Sequence, residues 1–597
     1  MSGMVIRLLG SPEIEHNGAI VDGPRGRKVW AVIAYLVLAE QRVPRSRLAA
    51  LMFAGADDPL GALRWALAQV RRTLGLAEAL RGDPLELDLP SSVQVDVLCL
   101  LEGDGDPGLV RGELLEGADP DASGAFDAWL LVERRRLAGV CEGVLRDAAL
   151  GSLAAGLPLE GAGFASRALS LSPFDESLHE LLVRCLARAG QVGAARHQAS
   201  ACEVLFRREL GRQPDPRVRR AAEVGGPTGP PPSGDRSAAS GQLDAGLAAL
   251  AAGAAEPGVA CMRMACAEAR ACGEPELLAR TLTELGSALV HAVRGRDEEG
   301  AALLHEALAI SEQTGDRGLT GRVCRELGYI DVQAGRGTSA GRWLERSTHL
   351  ALTDGERAAV LGVRGMALSD RAHYVPALAL LSESVSTAER CGAIRQTAWS
   401  LALLGRTMLL RGDLASATAV LDRSLALVEQ DGWVAFRPLP ETLRGEVALM
   451  AGELERANQL LRSAFALACR LGDPCWEALA ARAIGLLHLA RGELIAALEC
   501  LRDATRRAVR VCDPYVWVHA HSLDALAGLA VSSEADDADA LVTDLERIAA
   551  RSDMRELIVR AALHRAALGD RAGVEAARPL AEAIESPALQ AALAVVV

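Results

Sequence analysis

The 597-residue sequence predicts a mainly α-helical protein that begins with a small α+β unit and ends in an α-solenoid. Three observations carry that prediction. Half of the residues are hydrophobic but only 3% are aromatic, so Ala and Leu must fill the cores, which suits helices packed through small side chains. A glycine–alanine–leucine pattern returns every 40 residues in the C-terminal half. The first hundred residues instead alternate turn signals with short apolar runs, as strands and short helices do.

Residues 5–9, 13–16 and 19–21 read as strands, separated by Gly10-Ser11-Pro12 and by Asn17-Gly18, a strong hairpin signal. An apolar helix follows over 26–39, a shorter one over 45–52 and a third over 59–74. Leu80-Arg81-Gly82-Asp83-Pro84, with the alternation Leu85, Leu87, Leu89, Val93, Val95, Val97, predicts a closing hairpin. Strands, three helices and a hairpin in this order make a winged helix, assigned to residues 1–100.

The third helix has two faces. Leu60, Leu63, Leu67, Val70 and Leu74 fall on one stripe at helical period, which is the core side. The other side carries Gly61, Trp65, Ala68, Gln69 and Arg72, flanked by Arg64 and Arg71. A helix entering a major groove needs small residues for close approach, and Arg or Gln to reach base edges. Between Arg25 and Arg81 ten basic residues face four acidic ones, inside a chain of net charge −14. Such a local patch suits phosphate neutralisation. The candidate base contacts are Arg64, Gln69 and Arg72, with Trp65 and Ala68 on the same face. The candidate phosphate contacts are Arg25, Arg27, Lys28, Arg45, Arg47, Arg71 and Arg81. The bland reading is a solvated helix face, with Trp65 packed under the wing.

Residues 224–241, VGGPTGPPPSGDRSAASG, cannot bury apolar area and read as a linker between residues 101–223 and 242–597. Beyond it, a Gly-Asp/Glu-Leu turn recurs at Gly412, Gly452 and Gly492. Ala417, Ala457 and Ala497 follow these turns, as do Leu421, Leu461 and Leu501. Upstream glycines stand at Gly405, Gly445 and Gly485, with looser counterparts at Gly286, Gly328 and Gly365. Each unit reads as helix, turn, helix; one pair cannot bury its own apolar face, so neighbours stack. Six units are legible over 281–517, with capping segments at 242–280 and 518–597. They resemble tetratricopeptide repeats, with a longer unit than the usual ~34 residues. Trp343, Trp399, Phe436, Trp476 and Trp517 are candidates to line an inner groove for a peptide, a protein or a small effector; filling gaps between Ala-rich helices is the competing reading.

Catalytic chemistry finds little support. A phosphate-binding loop needs a lysine after glycine, and Lys28, the only lysine, sits between Arg27 and Val29. Gly337-Thr338-Ser339-Ala340-Gly341 matches a nucleophile-elbow pattern but falls in a turn between solenoid helices, without the strand that chemistry requires. His519 and His521 diverge around a helix, and His179-Glu180 lacks a second histidine. The 13 cysteines are scattered singly, and Cys261, Cys266 and Cys272 lack the short pairs of zinc sites, so reduced thiols are expected, with no metal and no cofactor. The apolar run 29–39 has 11 residues against ~20 for a membrane span. The expected location is cytoplasmic, nucleoid-associated when bound to DNA.

Several segments carry a family resemblance. In the first domain they are Ile6-Arg7-Leu8-Leu9-Gly10, Gly23-Pro24-Arg25-Gly26-Arg27-Lys28, Val43-Pro44-Arg45-Ser46-Arg47-Leu48, and Ala62-Leu63-Arg64 through Val70-Arg71-Arg72-Thr73-Leu74. In the next they are Gly112-Glu113-Leu114-Leu115, Phe126-Asp127-Ala128-Trp129-Leu130, Leu171-Ser172-Pro173-Phe174-Asp175-Glu176, and Glu209-Leu210-Gly211 with Pro214. Residues 4–98 resemble the OmpR-type winged helix. Residues 109–223 resemble the bacterial transcriptional activator domain of the Streptomyces antibiotic regulatory protein (SARP) family. The resemblance implies an activator that recognises direct repeats in promoter DNA as a homodimer and contacts RNA polymerase. It also implies that Phe126, Trp129 and Leu130 anchor a helical core, packed as a short three-repeat bundle beside the winged helix. Phe53 stands where relatives often carry Trp, and the ATPase module of larger members is absent between linker and repeats. The reading is a one-component regulator with a helical-repeat sensor. The alternative is a repeat scaffold whose winged helix no longer binds DNA.

Overall fold

Asn17 and Gly18 both adopt positive φ, 55° and 82°, the conformation a two-residue hairpin turn demands. They join β2 (Glu13–His16) to β3 (Ala19–Val21) in the computed structural model, which describes residues 3–75, 79–118, 120–223, 233–251, 253–351, 353–584 and 586–596. With β1 (Met4–Arg7) and β6 (Val93–Val95) these strands form a sheet of order β3-β2-β1-β6, while β4 (Leu80–Arg81) and β5 (Glu86–Leu87) make a separate hairpin. The predicted closing hairpin is therefore shorter than expected. β6 leaves it to pair in parallel with β1, and Val97 belongs to a helix. The cause is Asp96. Its buried carboxylate accepts the backbone N–H of Leu8 (2.9 Å), Leu9 (2.9 Å) and Val97 (2.7 Å), tying this strand to the end of β1.

The helices of this domain are α1 (Arg27–Leu38), α2 (Arg45–Phe53), α3 (Pro59–Leu74) and α4 (Asp96–Leu101). α3 starts and stops where its sequence says it should. Asp58 caps it by accepting the Gly61 N–H at 2.8 Å, Pro59 opens its first turn, and Gly75 ends it at φ 64°. Leu63, Ala66, Leu67, Val70 and Leu74 are buried. Leu60 departs from the expected stripe at 45% exposure, because the cap rather than packing holds the first turn.

The next helix, α5 (Gly124–Ala154), passes from one compact unit of the chain to another. One unit comprises residues 1–141, 534–584 and 588–597; the other comprises 142–533 and 585–587. This division differs from the sequence-based boundaries at 100, 223 and 242.

In the second unit α5 is followed by α6 (Pro158–Leu171), α7 (Glu176–Arg188), α8 (Val192–Leu210) and α9 (Pro216–Arg220). Asp175 caps α7 through the N–H groups of Ser177 and Leu178, and Gly211 ends α8 at φ 65°, which accounts for the Phe-Asp-Glu and Glu-Leu-Gly motifs. Of the expected linker, residues 224–232 lie outside the described residues, whereas 236–241 already belong to α10 (Arg236–Ala251), started by Asp235. α10 pairs with α11 (Ala255–Cys272). One hydrophobic core runs from Ala149, Leu181 and Cys185 through Leu243 and Met262 to Leu285, Leu304 and Leu327. Helices on both sides of the Pro-rich segment thus share a core, a continuity that composition does not reveal.

Six hairpins follow: α12 (Pro275–His291) with α13 (Asp297–Thr314), α14 (Arg317–Gln333) with α15 (Gly337–Leu350), and α16 (Asp354–Asp370) with α17 (Tyr374–Arg390). Then come α18 (Ile394–Leu410) with α19 (Leu414–Asp431), α20 (Pro438–Met450) with α21 (Leu454–Leu471), and α22 (Pro474–Ala490) with α23 (Leu494–Ala508). The repeated glycine and leucine meet inside each hairpin. A Cβ on Gly405 would lie 2.5 Å from Leu421, on Gly445 2.6 Å from Leu461 and on Gly485 2.8 Å from Leu501. Gly286, Gly328 and Gly365 stand in the same relation to Leu304, Leu344 and Leu381. The serine of the elbow-like pentapeptide sits in the first turn of α15, not in the turn before it.

α24 (Val516–Ser532) closes the second unit. α25 (Ala538–Arg551), α26 (Arg555–Ala567) and α27 (Ala572–Ala583) belong to the first, instead of capping the solenoid, and α28 (Pro587–Val596) ends the chain. Within the first unit the Trp129 ring of α5 lies 4.7 Å from Tyr35 of α1, and Phe126 is fully buried 5.2 Å from Trp129. The aromatic end of α5 therefore packs on the winged helix, in place of the helical-bundle core expected of it. Gly139, on the next turns of α5, leaves the space that the Arg551 carbonyl of α25 fills.

Candidate nucleic-acid interface

α3 turns Arg64, Trp65, Ala68 and Arg72 to solvent, with Gln69 half-buried beside them. Trp65 is 54% exposed and does not pack under the wing. Gly61 serves the cap: a Cβ there would collide with the Asp58 carboxylate. That explains its small size without recourse to close approach of a base.

The candidate phosphate residues divide by what holds them. Arg25 and Arg27 are exposed, as is Arg72, and none makes an ion pair among the described residues. Arg25, Gln69 and Arg72 line one cleft of 900 Å³ between the end of α3 and the sheet, with His16, Asp22 and Ser92. Lys28 lies 5.7 Å over the ring of Phe53. Arg45 braces the wing through the Gly82 carbonyl (3.0 Å), its own N–H donating to Asp83 (3.0 Å). Arg71 donates to the Leu80 carbonyl at 2.9 Å, tying α3 to the hairpin. Arg64 pairs with Asp58 and Arg81 with Asp88, each at 3.3 Å and exposed. Arg47 donates to the carbonyl of Glu575 on α27 at 3.0 Å.

The five solenoid aromatics are each engaged by neighbours. Trp343 donates its indole N–H to Asp147 of α5 at 3.3 Å and lies edge-on to His305. Arg294, paired with Asp473 at 2.9 Å, covers Trp476. Arg406 covers Trp517 at 4.4 Å. Phe436 stacks on Trp433 at 4.4 Å, a partner that repeat spacing does not flag, and Trp399 packs against Gly362. Trp343, Phe436 and Trp517 are buried, and Trp399 and Trp476 half-buried, each against its own neighbours.

Charge fills the interior of this unit. Arg146, from α5, is buried between Glu298 (2.7 Å), Asp147 (3.0 Å) and Asp331 (3.6 Å). Despite burial, Arg146 and Arg336 hold the Glu298 carboxyl down to about 2. Burial, reinforced by Arg146, pushes His305 down to about 3, so it is neutral. Asp513, between α23 and α24, accepts from Arg217 of α9 (2.9 Å) and Ser177 of α7 (3.0 Å). Tyr515 donates to Asp370 at 2.8 Å and accepts from Arg406 at 2.8 Å. Sequence reasoning missed these partners because all but the adjacent Arg146–Asp147 pair and the Arg336–Glu298 pair lie a hundred or more residues apart. Among the described residues no group of three or more His, Cys, Asp or Glu is placed to hold a metal, and no helix is long and apolar enough to cross a membrane.

Residues 108–224 match the family model described as the bacterial transcriptional activator domain. The chain carries a bacterial transcriptional activator domain. With the winged helix before it and helical repeats after it, this domain gives the chain a SARP-type arrangement. The Gly112-Glu113-Leu114-Leu115 motif of the activator domain lies on the first turn of the winged helix, Gly10 donating its N–H to the Glu113 carbonyl at 2.8 Å. Among solved structures, the chain is similar to Mycobacterium tuberculosis EmbR in complex with a low affinity phosphopeptide, at 17% identity and TM-score 0.29. That match covers 37% of this chain and 64% of EmbR, just under two thirds of its length. A Rap protein complexed with competence and sporulation factor matches at 12% identity and TM-score 0.43, over 60% of this chain and 99% of that one. A signal transduction ATPase with a tetratricopeptide repeat sensor from Pyrococcus horikoshii matches at 13% identity and TM-score 0.36, over 62% and 54%. No curated protein matches the sequence.

Proposed function

We propose that the protein is a transcription regulator that binds promoter DNA through α3. In this reading the activator domain supports homodimerisation and RNA polymerase contact, and the helical repeats respond to a partner or effector. One observation carries it: α3 is capped and packed on one side, and on the other it presents Arg64, Trp65, Ala68 and Arg72 to solvent. Arg72 and Gln69 are assigned to base edges, and the unpaired Arg25 and Arg27 to phosphates; Arg45 and Arg71 act through the wing they brace. The test is binding of the full chain to duplexes selected from a random pool, across a salt series. Log affinity falls steeply with log salt, and Arg72→Ala costs ~1–3 kcal/mol on the selected site but much less on random DNA. Salt-independent or undetectable binding would leave the repeat scaffold as the surviving reading.

A further inference from the structure

A second cavity, of about 1010 Å³, opens within the first unit between the winged helix, the start of α5 and the pair α26–α27. Its apolar wall is built by Tyr35, Leu38, Trp129, Val132, Ile558 and Leu580. Most of its basic groups are committed to partners inside or outside the cavity. Glu133 accepts from Arg136 at 2.7 Å, Arg565 donates to Glu546 at 2.9 Å, and Arg42 pairs with Glu86 at 2.8 Å. Glu40 is held by Arg555, and Arg47 by the Glu575 carbonyl. Among the basic groups of the wall Arg135 is the exception. It lines the cavity half-buried, and makes no hydrogen bond or ion pair among the described residues. Burial lowers its proton affinity; Glu546 opposes that, while Arg547 and Arg565 add to it. A half-buried guanidinium with no carboxylate hydrogen-bonded to it is costly, and an incoming anion would relieve that cost.

We infer that this cavity is a binding site for a small amphipathic organic anion, an apolar ring system carrying one carboxylate, sulfonate or phosphate, with Arg135 as its anchor. The volume suits a molecule of several rings. The half-buried Trp129, backed by Tyr35 at 4.7 Å, adds aromatic surface to the wall, and Glu133 and Glu546 are each engaged by another arginine. Its wall includes Arg47 of α2, so an occupant sits directly behind the winged helix. Use of the site in regulation rests on the function proposed above; ligand binding itself does not.

Anilinonaphthalene sulfonate, an apolar fluorophore with one anionic group, is the probe, and phenylnaphthylamine is its uncharged counterpart. Fluorescence titration of the full chain shows a saturable site for both. Arg135→Met weakens the sulfonate by about tenfold and leaves phenylnaphthylamine unchanged, the loss of one charge-assisted contact. Ala576→Trp, which fills the cavity from α27, abolishes the site for both probes. Equal sulfonate affinity in the wild type and Arg135→Met overturns the inference, as does full binding of both probes by Ala576→Trp with an unchanged thermal midpoint. If Ala576→Trp fails to fold, the contrast between the two probes on Arg135→Met decides alone. Loss of DNA binding would sink the proposed function and leave these titrations untouched.

Discussion

Gly405 lacks a side chain because Leu421 occupies the space where one would stand, with Cγ 2.5 Å from an ideal Cβ. Gly405→Ala is expected to cost ~1–3 kcal/mol, read as a lower urea midpoint. Gly341, in α15, has nothing within 4 Å, so Gly341→Ala should leave stability level or raise it by up to ~1 kcal/mol. This contrast was legible in the sequence, since the recurring glycine pairs with a recurring leucine and Gly341 has no such counterpart. Arg406 was not legible. It is buried, hydrogen-bonded to Tyr515, ion-paired with Asp370 and laid over Trp517, contacts made across more than one repeat. Arg406→Met strands the Asp370 carboxylate in the interior and should cost ~3–5 kcal/mol by chemical denaturation.

Among elements, α3 shows how much local chemistry can specify. Asp58, Pro59 and Gly75 set its ends, and the apolar period sets all but its first turn. The wing shows the limit of the same reasoning. Alternating Leu and Val residues mark strands but do not name their partners, and the choice between hairpin and sheet falls to Asp96, which gathers three backbone N–H groups from both ends of the domain. Asp96→Ala leaves those donors buried and unpaired, so a loss of ~2–4 kcal/mol is expected, with early hydrogen exchange at Leu8 and Leu9 as its signature. The resemblance implied a helical core around Phe126, Trp129 and Leu130 but did not delimit α5. Its two kinds of packing were not foreseen either, because its aromatic start and its charged middle serve different units.

At the scale of the whole molecule, stability carries the imprint of the buried charges in the second unit. His305 is held at about 3, below its ordinary 6.5, so the unfolded chain binds a proton that the folded one refuses. Stability is then full above about 6.5 and falls as pH is lowered toward 3, by up to ~1.4 kcal/mol per pH unit from this group. Glu298, lowered from 4.5 to about 2, adds stability that is full above 4.5 and disappears as pH drops through 2. His305→Gln should therefore narrow the gap between urea midpoints at pH 7 and pH 5 relative to the wild type. The domain order was readable because each segment has its own periodicity. The shared core across the Pro-rich segment was not, since composition does not tell whether the helices on its two sides pack together.

Lys28 is the sole lysine of the chain and rests over Phe53 at the foot of α1, beside the unpaired Arg25 and Arg27. An amine-directed dye will thus mark one internal position, on the domain proposed to meet DNA. With the α-amino group blocked beforehand, the dye on Lys28 alone reports a duplex arriving there.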